Sequence, residues 1–193
     1  MIAEQLNRPG EAEVTGSVCV LSFGSNLGDR RSHLTYGVSR LAESARFRLE
    51  SCSRVVESEP WGPVPQGPYL NLLVRGRSTG GPFDLLDLLQ GVERDAGRER
   101  NLRYGPRTLD IDIIFFGGLV LDSSALTLPH PFWRERPFVR DLLGDVVTAE
   151  LSEILPLPGV EEALQMGGRL SPELHEVDSL SLTSIGPWTK EAL

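Results

Sequence analysis

The chain has 193 residues, 40% of them hydrophobic and 24% charged, which suits one globular domain with a sizeable core. Its net charge of −8 excludes a general nucleic-acid binder, which needs a cationic footprint. Two cysteines, Cys19 and Cys52, in apolar segments exclude a disulfide framework and suit a reducing compartment.

The charge is uneven: −2 in residues 1–16 and −4 in residues 156–193, leaving −2 for 17–155. The basic residues are 18 arginines and one lysine, Lys190. No cationic-then-apolar leader is evident, and no apolar run approaches the roughly 18 residues of a membrane span. The expectation is a cytoplasmic protein with a mobile arm at 1–16, a core domain at 17–155 and an acidic extension at 156–193.

Ser17–Phe23 reads as a buried strand ending in Gly24-Ser25-Asn26-Leu27-Gly28-Asp29. This small turn is either a tight strand-to-helix connection or a backbone phosphate cradle, with Asn26 or Asp29 as the helix N-cap. Leu34, Val38 and Leu41 then form a helical stripe. Phe47–Glu57 reads as one strand. The segment 60–68 holds four prolines and two glycines and must be a loop. Its Trp61 is a pocket wall or a core anchor. In the strand Tyr69–Arg75, Tyr69, Asn71 and Leu73 share a face. Asn71 is either a satisfied core amide or a ligand reader.

Pro82 opens a second helix with Leu85, Leu86, Leu88, Leu89 and Val92 as its apolar stripe and Gly97 as its stop. Gln90 and Glu93 neighbour each other on it at i, i+3. Arg98, Arg100, Arg103 and Arg107 follow, then the strand Asp110–Phe116 and a turn at Gly117-Gly118. Leu126–Pro131 is rigid and extended, holding His130 between two prolines. A last helix is expected from about Pro137 to Ala149, and a short one near Pro172–Glu176. The order β-α-β-β-α-β predicts an α+β, ferredoxin-like split βαβ sheet with helices packed on it, plus the C-terminal helix and extension.

The chemistry centres on Asp110-Ile111-Asp112. On a strand both acids point the same way, roughly 6–7 Å apart at about 3.3 Å rise per residue. Ile114 and Phe116 are expected to continue that face, which turns inward. The pair is a divalent-metal site or a solvent-facing edge. Arginine forks just upstream favour the metal and a polyphosphate. No zinc, Walker or protein-kinase spacing is present.

Phe23–Asp29, Tyr69-Leu70-Asn71, Tyr104–Ile113 and Leu128-Pro129-His130 together resemble 6-hydroxymethyl-7,8-dihydropterin pyrophosphokinase of folate biosynthesis, over about 17–155. The resemblance implies transfer of the β,γ-pyrophosphoryl group of ATP to a pterin hydroxymethyl group, releasing AMP. It implies two Mg²⁺ ions held by Asp110 and Asp112, and catalytic phosphate contacts from Arg98 and Arg107. It places ATP against Gln90, Glu93, Arg100, Tyr104, Leu126, Thr127, His130 and Arg136. It places the pterin against Ser58, Trp61, Tyr69, Asn71, Tyr104 and Phe138. Tyr104 stands where many relatives have Trp, Glu59 where Pro is usual, and Pro131 where an aromatic is usual. The implied partners are small molecules, with no nucleic acid and no membrane, and the protein is expected to be a monomer. Two other readings, a ferredoxin-like nucleic-acid module and a metal-dependent phosphodiester hydrolase, explain the arginines less well together with the paired acids and the pterin-like pocket.

Overall fold

Strand β1 (Ser17–Ser25) is buried along nearly its whole length, with Cys19, Leu21 and Phe23 on one face and Val18 and Val20 on the other packed in the two cores. It pairs antiparallel with β4 (Tyr69–Ser78) on one side and β5 (Asp110–Phe116) on the other. β2 (Phe47–Cys52) and β3 (Val55–Ser58) pair in turn with the far edge of β4. β8 (Leu174–Val177) adds a last antiparallel strand beyond β3. β6 (Leu121–Asp122) and β7 (Thr127–Leu128) form a small separate ladder. This computed structural model describes residues 16–60, 64–97, 105–148, 157–166 and 170–177.

Two helices, α1 (Arg30–Ala42) and α2 (Pro82–Asp95), cover one face of the sheet. Leu34, Val38 and Leu41 of α1 and Leu85, Leu89 and Val92 of α2 pack there on Leu21, Phe23, Leu72 and Ile113. Each such side chain, fully buried, contributes roughly 1.5–3 kcal/mol. Asp29 caps α1, its carboxylate accepting from Ser32 N (3.0 Å) and Ser32 Oγ (2.8 Å). Gly37 lets α1 close on the sheet, because a Cβ there would lie 2.8 Å from Leu109 Cδ2. Gly97, at φ +77°, stops α2 as the sequence predicts.

The opposite face carries α3 (Pro137–Val146) and α4 (Val160–Met166). Val139, Leu142, Leu143 and Val146 of α3 pack on Val18, Val20, Leu73, Ile114 and Phe115. That helical layer covers only one end of the sheet face. The other end stays open, and its side chains are polar.

Four details depart from the sequence reading. The expected single strand at 47–57 is split, because Ser53 takes over the ladder: its N–H donates to Leu73 O and its Oγ accepts from Leu73 N, both at 2.8 Å. In β5, Leu21 pairs with Ile113 and Val20 with Phe115, so Ile114 is an extra residue. The bulge turns Ile114 and Phe115 to the α3 side and sends Phe116 to the α1–α2 side, so Phe116 does not continue the face of the two acids. Helix α3 ends at Val146, because Val147 is extended and buried in the second core. Residues 174–177 form strand β8, not a helix, because the open edge of β3 offers ladder partners.

Candidate active site

Alternation along three adjacent strands builds the floor of a cavity of about 430 Å³. Ser22 and Gly24 come from β1, Tyr69 and Asn71 from β4, and Asp110 and Asp112 from β5. These positions continue the face that α3 covers further along the same strands. A Cβ on Gly24 would stand 3.2 Å from Asn71 Oδ1 and 3.5 Å from a Tyr69 ring carbon, so glycine keeps the floor open.

The two acids meet separate arginines. Arg107 Nη1 lies 2.6 Å from Asp110 Oδ2, and Arg136 Nη1 donates to Asp112 Oδ2 at 2.7 Å. Burial pulls the Arg107 guanidinium down, but Asp110 more than offsets this and holds it above its ordinary value. Burial pushes Asp112 up, yet Arg136 and His130 outweigh it, and the carboxyl stays below the usual carboxylate range. Asp112 is therefore ionised at neutral pH.

His130 is anchored by its backbone N–H, which donates to Ile114 O at 2.9 Å. Burial lowers its pKa more than Asp112 raises it, so the imidazole is neutral at pH 7. Its Nδ1 accepts from Phe132 N at 3.2 Å, which leaves the proton on Nε2. Nε2 faces Asp112 Oδ2 at 3.8 Å, too long for a hydrogen bond. The contact is an oriented N–H rather than an ion pair.

Asn71 lines the cavity with one amide hydrogen bond already made. Its Nδ2 donates to Ser58 Oγ at 2.8 Å, which fixes the amide orientation across the β3–β4 ladder. Tyr69 and Phe138 line the same chamber.

The loops are tied together by Asn26. Its Nδ2 donates to Gln66 Oε1 at 2.9 Å and Gly67 O at 3.2 Å, and its Oδ1 accepts from Arg107 N at 2.8 Å. Asn26 N also donates to Arg107 O at 3.1 Å. The residue joins the proline-rich loop, the first turn and the Arg107 segment, and it is not the helix cap. Arg30 adds a second tie, donating to Pro68 O at 2.8 Å and pairing with Glu57 at 2.9 Å.

Of the residues singled out in the sequence, Ser58, Tyr69, Asn71, Arg107, Asp110, Asp112, His130, Arg136 and Phe138 line this one cavity. Gln90, Glu93, Leu126 and Thr127 do not. Glu93 is 2% exposed on α2, and its Oε1 accepts from Ile111 N at 2.7 Å, bracing the residue between the two acids. Trp61, Arg98, Arg100 and Tyr104 lie outside the described residues. Ser22 and Gly24 were not singled out, although period-two alternation from Val18 and Val20 points to them. Nothing in the local sequence signals Glu173 and Leu174, which also line the wall.

A family model described as 7,8-dihydro-6-hydroxymethylpterin-pyrophosphokinase matches residues 20–148, two thirds of the chain. The chain belongs to this pyrophosphokinase family. It is 35% identical to 2-amino-4-hydroxy-6-hydroxymethyldihydropteridine pyrophosphokinase of Bacillus subtilis, over 67% of this chain and 78% of the relative. It is 34% identical to the enzyme of the same name from Pseudomonas aeruginosa, over 73% of this chain and 93% of the relative. Among solved structures, an HPPK-DHPS in complex with substrates aligns with a TM-score of 0.53 at 14% identity, over 78% of this chain and 43% of that one. A Plasmodium falciparum HPPK-DHPS aligns with a TM-score of 0.52 at 12% identity, over 86% of this chain and 47% of that one. The chain thus spans under half the length of those solved chains, and the likeness to them is one of fold. The cavity sits on the open end of the antiparallel sheet. No helix among the described residues is long and apolar enough to cross a membrane.

Proposed function

We propose that this chain transfers the pyrophosphoryl group of ATP to the hydroxymethyl group of 6-hydroxymethyl-7,8-dihydropterin, releasing AMP. One observation carries the reading. A single cavity holds two acids, each paired with an arginine, and also holds Asn71, Tyr69 and Phe138 for a flat heterocycle. Family membership supports the same reaction.

Asp110 and Asp112 fit Mg²⁺ in donor chemistry, being hard oxygen ligands on one strand face. Among the described residues no group of three or more His, Cys, Asp or Glu forms a closed metal site. Such an open pair would hold the ions, two in this reading, without enclosing them. When bound, Mg²⁺ supplies charge neutralisation along the triphosphate.

The chain's own groups bind and orient. Asp110 and Asp112 would hold the ions, and Arg107 and Arg136 beside them would grip phosphate oxygens. His130 offers a fixed Nε2–H beside them. Asn71 retains Oδ1 and one amide hydrogen to read the pterin edge, while Tyr69 and Phe138 supply aromatic surface for the ring. In this reading Arg98, Arg100 and Tyr104 contact ATP, and Tyr104 also contacts the pterin with Trp61. The hydroxymethyl oxygen forms a bond to the β-phosphorus, the bond between that phosphorus and the α,β-bridging oxygen breaks, and AMP leaves with the bridging oxygen. The hydroxyl proton is released. The domain is assigned to 17–155, acting as a cytoplasmic monomer.

The test is AMP formation from MgATP with and without hydroxymethyl-dihydropterin. The reading requires AMP only when the pterin is present. AMP formed regardless of pterin, as from a hydrolase, or never formed, refutes it.

A further inference from the structure

One described part of the C-terminal segment, 170–177, reaches the cavity although the sequence assigns it no role. Glu173 and Leu174 both line the wall. Leu174 is 5% exposed, buried in the second core, and pairs with Ser58 in the β3–β8 ladder. Ser58 is the residue whose Oγ accepts from Asn71 Nδ2, so the strand that bears Leu174 also helps fix the Ser58 end of that bond.

The segment is held in place from a second direction. Asp141 of α3 is 1% exposed, and its Oδ2 accepts from Ser171 N at 2.6 Å. Leu174 N donates back to Ser171 O at 2.9 Å, closing a turn that delivers the strand. Asp141 itself does not line the cavity. A buried carboxylate on the helix is thus used to set the entry of β8. The result is a cavity wall whose position depends on the helix and sheet, not on the proline-rich loop.

We propose that residues 170–177 form a fixed wall of the heterocycle end of the site, with Leu174 and Glu173 limiting the size of the ring it accepts and Asp141 positioning them. This inference rests on the proposed reaction, because it names the substrate whose fit the wall sets. It assigns a specificity role to a segment outside the matched residues 20–148. Triphosphate affinity is set on the β5 side, by Arg107, Arg136 and the two acids, so the two affinities separate.

The experiment is calorimetric titration of hydroxymethyl-dihydropterin in the presence of Mg²⁺ and a non-hydrolysable ATP analogue, with the analogue also titrated alone. Glu173→Trp, at an exposed position that folding tolerates, fills the wall and weakens pterin binding by about 10-fold or more, with analogue affinity within twofold of wild type. Leu174→Ala does the same, and Leu174→Ile restores most of the loss. Asp141→Ala weakens pterin binding in the same direction, whereas Asp141→Asn, which keeps an acceptor oxygen, does so less. Glu173→Trp with wild-type pterin affinity overturns the proposal, even if the Leu174 and Asp141 variants fail to fold. Equal loss of pterin and analogue affinity also overturns it. Wild-type protein that binds no pterin at all overturns the proposed reaction itself, a distinct outcome.

Discussion

Asn26 is the residue whose removal the geometry predicts most sharply. Asn26→Ala deletes two donated bonds, to Gln66 Oε1 and Gly67 O, and one accepted from Arg107 N. A hydrogen bond contributes about 0.5–1.5 kcal/mol net, and these three share one side chain, so they do not add fully. The expected loss is about 2–3 kcal/mol. For a domain of this size that lowers Tm by roughly 5–10 °C, measured by thermal unfolding. The larger effect is kinetic. Without the side chain, the Arg107 backbone keeps only the bond from Asn26 N, and the proline-rich loop loses its Asn26 tie to the phosphate side. A misplacement of about 1 Å at a phosphate-gripping group can reduce turnover about 100-fold, so kcat should fall by roughly 10- to 100-fold. Asn26→Asp keeps the acceptor for Arg107 N but turns a carboxylate toward two oxygens, so it should be at least as damaging to stability. A variant with lowered Tm and unchanged kcat would show that the clamp stabilises without positioning. Wild-type values of both would refute the reasoning outright.

Other outcomes follow from the same geometry. Asp110→Ala and Asp112→Ala should each abolish AMP formation while Tm stays near wild type, because part-exposed ion pairs contribute only about 0–1 kcal/mol; near-normal turnover at ordinary Mg²⁺ would contradict the metal role. Glu93→Ala leaves the buried Ile111 N–H without its acceptor, at about 1–3 kcal/mol, and should cut both Tm and kcat. Glu93→Gln retains an acceptor oxygen and should recover most of the stability; equal loss in both variants would argue against the brace. The Ser32 N–H and hydroxyl hold Asp29 below the usual carboxylate range. Its stabilising effect is therefore fully present above the unfolded value of about 3.9 and is lost as pH falls through the lower folded value. Urea unfolding of wild type and Asp29→Ala from pH 7 to 2.5 should show a constant gap that closes only at the acid end; a gap unchanged at pH 2.5 would contradict this.

The sequence makes the frame legible where periodicity and capping act locally. The stripes of α1 and α2, the Gly97 stop and the shared face of Asp110 and Asp112 all follow from residue spacing. What escaped depends on contacts distant in sequence. Ser53 interrupts a strand because its hydroxyl finds Leu73, twenty residues away. The extra residue Ile114 flips Phe116, and no local pattern announces a bulge. Asn26 looks like a cap in isolation, but its partners lie on two other loops. Glu93, which the resemblance places against ATP, is buried and accepts from Ile111 N, eighteen residues away. Strand β8 forms because β3 presents an open edge, a property of the sheet and not of residues 174–177. The fold shows which of the residues named by the resemblance share one cavity.

The most direct measurement follows a single atom. Hydroxymethyl-dihydropterin labelled with ¹⁸O at the hydroxymethyl group is incubated with MgATP, and the products are separated and weighed by mass spectrometry. Attack of that oxygen on the β-phosphorus predicts that the label stays in the pterin pyrophosphate, bridging carbon and phosphorus. AMP should form in equal amount and carry no label. Label lost to water, or a pterin product bearing the adenylyl group, would contradict pyrophosphoryl transfer at this site.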